Sequence, residues 1–411
     1  MTDSAPNLDT KFDLAIVGAG PAGASLAILA AKAGFSVCLI DARDNKASTR
    51  RDTRTFAVVA GSWRMLGRAG VHDALADKIG PLNGLEAVDG GKHYFGAPSV
   101  FFDLTDLNAD SDEPLGQMVP AQALQAALDE QLTKSDNLTW LKNAWLSDIE
   151  TTGATATIST RSGHKVTAGL VAACDGVNSP VRNALNIPTV GRPYGQSVFA
   201  ADVRLEIPHN GIARQLFTPE GPFATLPMPD NCANLAWYMK TGAAEALAKF
   251  PVEKIEAQLN ERFGDFAGPM KIIGAPLAYP LHLQLAERMI GPRTALVGDA
   301  AHRINPLAGQ GLNLGFKDVA ALIEVMEDSQ RVGLDPGAET SLKSYEEWRR
   351  IDTNATALFM DAVDRLFTND NPVLKPIRSL ALTAANTLTP IRRAMAKQAS
   401  ADQATLPRLM Q

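Results

Sequence analysis

Apolar residues in this chain come in short runs that stop at glycine or at an acid. Residues 12–17 (FDLAIV) are followed by Gly18-Ala19-Gly20-Pro21-Ala22-Gly23 and then by an alanine-rich stretch to Ala33 with the length and composition of a buried helix. A second apolar run, residues 35–40, ends at Asp41. Residues 170–173 end in Cys174-Asp175-Gly176, after which a Ser179-Pro180 pair starts a helix. Residues 294–297 end in Gly298-Asp299, and from Gly311 the apolar positions Leu312, Leu314, Val319 and Leu322 recur at helical spacing. The first, third and fourth of these units read as strand, turn, helix. Elsewhere the period changes. Residues 197–205 and 234–240 alternate, and the regions 85–103 and 192–282 read as strands of a second sheet. Residues 55–66 are expected to form an apolar helix that Arg54 enters, and Val119-Pro120-Ala121-Gln122 to start another.

The first unit carries the most specific chemistry. Gly18 allows a tight turn, Gly20 lets backbone approach a pyrophosphate, and Gly23 lets helix and strand pack closely, while the helix start offers amide donors and the positive end of its dipole. Asp41 ends the second strand about 20 residues further on, where an acid holds a ribose hydroxyl. Arg43 and Arg54 flank the basic loop that follows. Strand ends more than 100 residues apart in sequence can form one site only if the strands lie in one parallel sheet, with the ligand at their carboxyl ends. The spacing therefore predicts a cofactor site assembled from the whole chain.

Composition narrows the alternatives. A chain of 411 residues with 45% hydrophobic content can bury a large core and is long enough for two or three domains. A net charge of −6 argues against a general nucleic-acid binder. Cys38, Cys174 and Cys232 are far apart and form no metal or disulfide pattern, which suggests a reducing compartment. The six histidines are equally scattered, so no metal is expected. Residues 1–11 lack signal-peptide features and read as a flexible tail, and no apolar run reaches the roughly 20 residues of a membrane span. Residues 371–400 contain Lys375, Arg378, Arg392, Arg393 and Lys397, no acid, and interleaved apolar residues; Pro390 interrupts any single helix. Such a segment can pack on the protein with a solvated basic face or lie on an anionic membrane or partner.

The glycine turn near the start, Asp175-Gly176 in the middle, and Gly298-Asp299 before Pro306-x-x-Gly309-Gln310-Gly311-Leu312-Asn313 together resemble the three signatures of the single-component FAD-dependent aromatic hydroxylases. The string from Gly298-Asp299-Ala300-Ala301-His302 to Asn313 is similar to the ubiquinone-biosynthesis branch of that family. Asp41, the Val119–Gln122 helix start and Asn305 depart from its pattern, where glutamate, Glu-Asn-Arg and histidine are common.

The resemblance implies an α/β fold: a three-layer, Rossmann-like FAD-binding domain (12–80, 115–190 and 285–330), an inserted antiparallel-sheet substrate domain (81–114 and 191–284) and a helical C-terminal region (331–411). It implies that Gly18, Gly20, Ala22, Gly23, Asp41 and Arg43 hold the ADP half and that Arg54 and Gln122 line the cofactor. Asp175 and Gly176 would face the pyrophosphate. Gly298 and Asp299 would hold the ribityl chain, Gly309, Gln310, Gly311, Leu312 and Asn313 would present backbone to the flavin ring, and Pro306 would mark the border with substrate. The implied reaction uses O2, FAD and NAD(P)H or a redox partner, and transfers oxygen from a flavin C4a-hydroperoxide to the ring of a polyprenylated phenol or quinone precursor. Phe217, Phe223, Trp237 and Tyr279 are read as core rather than pocket. Other ubiquinone-biosynthesis proteins and the inner face of the membrane, through 371–400, are the further contacts expected of a cytoplasmic enzyme of this kind. A hydroxylase of another aromatic substrate, or a flavin-binding assembly subunit without turnover, would share the same motifs.

Overall fold

In the computed structural model, residues 11–43, 54–90, 98–103, 106, 113–305, 309–367, 382–384, 386–390 and 406–411 are described. Pro306, and all five basic residues of the 371–400 segment, lie outside them.

An eight-stranded sheet forms the first layer. Lys11–Val17 lies at its centre, with Lys165–Ala173 on one side and Val37–Ile40 on the other, all parallel. Leu138–Leu141 extends the sheet beyond Val37–Ile40, and Thr294–Leu296 extends it beyond Lys165–Ala173, again in parallel. The central strands are buried on both faces, which explains why they read as unbroken apolar runs instead of alternating ones. The Pro21–Lys32 helix follows the first strand and is buried at every position from Gly23 to Ala31. Together with Gln310–Arg331 and Ala121–Thr133 it covers the sheet.

The second layer is a nine-stranded sheet. Thr189–Leu205 pairs antiparallel with both Cys232–Lys240 and Leu277–Ala286. Gly221–Met228 and Ile212–Thr218 continue the sheet in antiparallel fashion, but Ile212–Thr218 meets Gly84–Asp89 in parallel, so the inserted sheet is mixed at the seam between its two segments. Leu277–Ala286 runs past residue 284, and His302–Arg303 adds to its edge, so the sheet extends into residues that the motifs group with the FAD domain. No composition change marks that crossing.

Residues 55–66 do not form one helix. Thr55–Val59 is a strand paired with Gly116–Pro120, and the helix begins at Ala60. Thr55, Val58 and Val59 are β-branched, which favours a paired strand, and an apolar run this short cannot separate the two possibilities by period alone. Beyond residue 331, Glu339–Phe367 is a 29-residue helix. Its Met360 and Phe367 join Leu382, Phe217, Tyr238 and Leu281 in a cluster against the second sheet. The last residues fold back: Leu406 and Met410 are buried in the main core, Arg64 and Arg68 donate to carbonyls of Met410 and Arg408, and Arg408 pairs with Glu324, Glu327 and Asp328.

Candidate functional site

The parallel order of the first sheet brings the ends of Lys11–Val17, Val37–Ile40, Lys165–Ala173 and Thr294–Leu296 to one edge. Backbone bonds tie the turns there together: Gly18 donates to Ile40 (2.8 Å), Cys174 to Val17 (2.8 Å) and Val297 to Ala173 (2.9 Å). Gly18 has φ +99°, and a Cβ on it would lie 2.4 Å from the Cys174 carbonyl oxygen; one on Gly23 would lie 1.9 Å from the Gly18 carbonyl oxygen. These two glycines are required by the protein's own packing. Gly20, Gly176 and Gly311 differ: a Cβ there would meet nothing within 4 Å, so the space beside them is open. Gly309, with φ +67°, starts the Gln310–Arg331 helix against Ala57. Neither this helix nor Pro21–Lys32 has a side-chain N-cap, so the positive end of each helix dipole faces this edge without a capping side chain.

A cavity of about 370 Å³ runs from this edge to the second sheet. Its near wall includes Gly20, Ala22, Arg54, Gly176, Gly298, Asp299, Gly309, Gly311 and Leu312. Its far wall includes Gln215, Leu226, Asn234, Tyr238, Tyr279, Leu281 and Ile304, and the small Ala224 and Ala236, which pair across adjacent strands, keep it open. Tyr279 therefore faces the cavity. Phe223, Trp237 and Phe217 are packed away, Phe223 and Trp237 on Phe263 and Phe217 on Phe367. Burial, with Tyr279 and Asp364 nearby, pushes the Tyr238 hydroxyl well above its usual range, so at neutral pH it is protonated.

Other expected site residues sit behind this wall. The Asp41 carboxylate accepts from Arg43 Nε (2.7 Å) and from the Arg43 amide (3.1 Å), and Arg43 also donates to the Ala19 carbonyl (2.7 Å). Gln125, which the sequence reading did not single out, donates to the same carbonyl (3.0 Å). It lies one helical turn beyond Gln122, so the i, i+3 spacing could have indicated it. Gln122 itself is exposed on the first turn of its helix, next to the Ala121 amide that donates to the Arg54 carbonyl. Asp175 turns its carboxylate to the Val181 amide (3.0 Å) at the start of Pro180–Ala184, which leaves Gly176 to the cavity. Burial raises the Asp175 pKa. Asn313 is 2% exposed, and its amide bonds the backbone of Ala57, Val59 and Gly309, so its side chain fastens the glycine loop to the Thr55–Val59 strand. Gln310 opens the helix between them.

The element least visible in sequence lies under Gly298. Asp318, fully buried, accepts from the Gly298 amide (2.9 Å), from His302 Nε2 (2.6 Å) and from Arg349 Nε (2.7 Å). Arg349, 1% exposed, also bonds Asp352 (2.7 Å), which pairs with Lys317 (3.3 Å). Tyr345 donates to the Leu296 carbonyl (2.7 Å). Burial works to raise the Asp318 pKa, but His302 and Arg349 together outweigh it and hold the carboxylate below its usual range. The knot anchors the end of Thr294–Leu296 and the turn that presents Asp299. Among the described residues no group of acidic, histidine or cysteine side chains could hold a metal.

A parallel sheet that offers two helix starts and open glycine turns to a cavity roofed by a second sheet defines a nucleotide-cofactor protein. Residues 11–357 match the family described as FAD binding domain, and the chain belongs to that family and binds FAD. It is 36% identical over 395 residues to "Ubiquinone hydroxylase UbiL" of Rhodospirillum rubrum, covering 95% of this chain and 90% of the relative. It is 33% identical over 391 residues to the 3-demethoxyubiquinol 3-hydroxylase of Escherichia coli, covering 94% and 98%. The crystal structure of p-nitrophenol 4-monooxygenase PnpA from Pseudomonas putida superposes with a TM-score of 0.78 at 20% identity, covering 95% and 98%, which shows the shared fold.

Proposed function

We propose that this protein is an FAD-dependent monooxygenase that hydroxylates the ring of a polyprenylated phenol or quinol in ubiquinone biosynthesis, with NAD(P)H as electron donor. The observation that carries the reading is the cavity that joins the glycine turns to the Tyr238–Tyr279 face of the second sheet. The names of the relatives supply the substrate class.

When bound and reduced, FAD supplies the activation of O2 and the transfer of one oxygen atom to an electron-rich ring. The protein's part is binding, orientation and exclusion of water. The uncapped start of Pro21–Lys32 and the open space at Gly20 fit the pyrophosphate, and the Asp41–Arg43 unit closes the adenosine side. Asp299, exposed at the cavity wall, fits a ribityl hydroxyl. The backbone at Gly309, Gly311 and Leu312, with the first amides of the Gln310–Arg331 helix, fits a flat ring bearing acceptor oxygens. Across the cavity Tyr238, protonated at neutral pH, donates to a substrate oxygen, while Leu226, Leu281 and Ile304 keep the reacting ring out of water. Residues 371–400 would bring this site to the membrane that holds its substrate.

NADPH-dependent O2 uptake by the holoprotein with a short-chain prenylphenol, giving a product one oxygen atom heavier, is the expected result. Bound flavin with no turnover on any prenylphenol, with reductase partners supplied, would refute the enzyme reading and favour an assembly subunit. Metabolite analysis of a deletion strain would then identify the ring position, because the missing step leaves its own intermediate behind.

A further inference from the structure

The Glu339–Phe367 helix has two unlike faces. Its inner face is buried, and there Ala357 packs with Ile304 and Leu314, so the helix backs a residue that lines the cavity. Its outer face carries Ile351, Leu358 and Phe359 at 74%, 72% and 52% exposure. The residues exposed with them are Asn354, Ala355 and Ala362, so the face is uncharged from 351 to 362. Exposed Arg350 and Arg365 bound it. The acids of this stretch are turned away: Asp352 pairs with Arg349 and Lys317, Asp364 is buried, and Asp361 is shared by Arg365 and Arg192. Arg365, exposed, is the charge that this end presents to solvent.

We propose that this outer face, built on Ile351, Leu358 and Phe359 between Arg350 and Arg365, seats the protein on an anionic lipid bilayer. The rest of the proposal uses the substrate class argued above: lipid held against the outer side of the helix lies about one helix diameter, roughly 10 Å, from the cavity behind it, which keeps the site close to the bilayer that holds a polyprenyl chain. A second copy of the chain is the poorer occupant. The uncharged stretch is about 16 Å long and one helix face wide, on the order of 400 Å² of apolar surface, against the roughly 800 Å² per partner of a stable protein interface. A bilayer needs only a few inserted side chains flanked by cations. Among the described residues no helix is long and apolar enough to cross a membrane, so contact through this helix would be along the surface.

Sedimentation of the full-length holoprotein with vesicles of phosphatidylcholine and phosphatidylglycerol tests this without any substrate. Leu358→Glu with Phe359→Glu is expected to lower the partition coefficient more than about tenfold, since burial of a leucine and a phenylalanine is worth at least that. Flavin content and turnover of a short-chain, water-soluble substrate should be unchanged. Ile207→Glu, at a side chain 55% exposed in another part of the fold, should partition like the wild type. Equal partition of the double variant and the wild type would overturn the proposal. So would a wild type that self-associates without binding vesicles and becomes monomeric on substitution, because the occupant would then be a second copy. Vesicle binding without turnover would count against the enzyme reading and leave the docking surface standing.

Discussion

Asp318→Asn tests whether the buried knot under Gly298 builds the flavin site. An asparagine has one acceptor oxygen where the carboxylate has two. It can serve either Gly298 and His302 or Arg349, and its NH2 then faces the remaining donors. Removing one partner of a buried ion pair costs about 3–5 kcal/mol, and Arg349 keeps Asp352, so the lower end of that range, about 3 kcal/mol, is expected. The Gly298 amide stands to lose a hydrogen bond to a charged group, about 1.5–3 kcal/mol, within the same total because the bonds share one carboxylate. Because the folded pKa of Asp318 is below its unfolded value, its contribution is fully present above about pH 5 and is lost as pH falls through the folded value. Urea unfolding of wild type and variant at several pH values would measure this, with flavin retention read from absorbance after gel filtration. The expected gap is constant from about pH 5 to neutrality and narrows only below about pH 4, with weaker flavin retention in the variant. Stabilities within about 0.5 kcal/mol at neutral pH, with flavin retained, would refute the role given to the knot.

The glycines separate fold from ligand. Gly23→Ala should prevent stable folding, because its Cβ would sit 1.9 Å from a backbone oxygen, whereas Gly20→Ala should leave the circular dichroism spectrum and melting curve of the apoprotein intact and lower flavin occupancy, since only ligand would contest that space. An unfolded Gly20→Ala, or a folded one with full flavin, would contradict the assignment. For Asp364, which is buried and carries a pKa raised to about 6 by burial and by Asp361, against Arg192 and Arg365, the sign is opposite to that of Asp318. Its stabilising contribution is present below the ordinary value of 3.8 and lost as pH rises through about 6, so Asp364→Asn should gain on the wild type over that window by at most about 3 kcal/mol in thermal or urea unfolding. A pH-independent difference would contradict it.

The parallel sheet and the meeting of its strand ends at one edge were legible in sequence because each strand–turn–helix unit is local. Gly18 and Gly23 announce a backbone contact, and an unbroken apolar run announces a strand covered on both faces. Even the convergence of Gly20, Gly176 and Gly298 followed, since strands of one parallel sheet leave their ends together. The same locality explains the error at residues 55–66, where five residues of strand run straight into a helix, and the choice was made by pairing with Gly116–Pro120, about 60 residues away.

Tertiary structure alone decided the rest. Nothing near Asp318 in the chain points to Arg349 or Tyr345, and Gln125 and Arg43 meet at the Ala19 carbonyl and at the Asp129 carboxylate. The cavity's far wall came from strands whose alternation shows one buried face but not what that face is buried against, so Tyr279 and Phe223 looked alike and ended in a cavity and a core. The outer face of Glu339–Phe367 was equally hidden, because its apolar residues fit the helical period whichever side faces the protein. Sequence determines contacts that lie within a turn or a strand pair with its own signature; those set by packing between distant elements depend on which faces meet, and only the folded chain decides that.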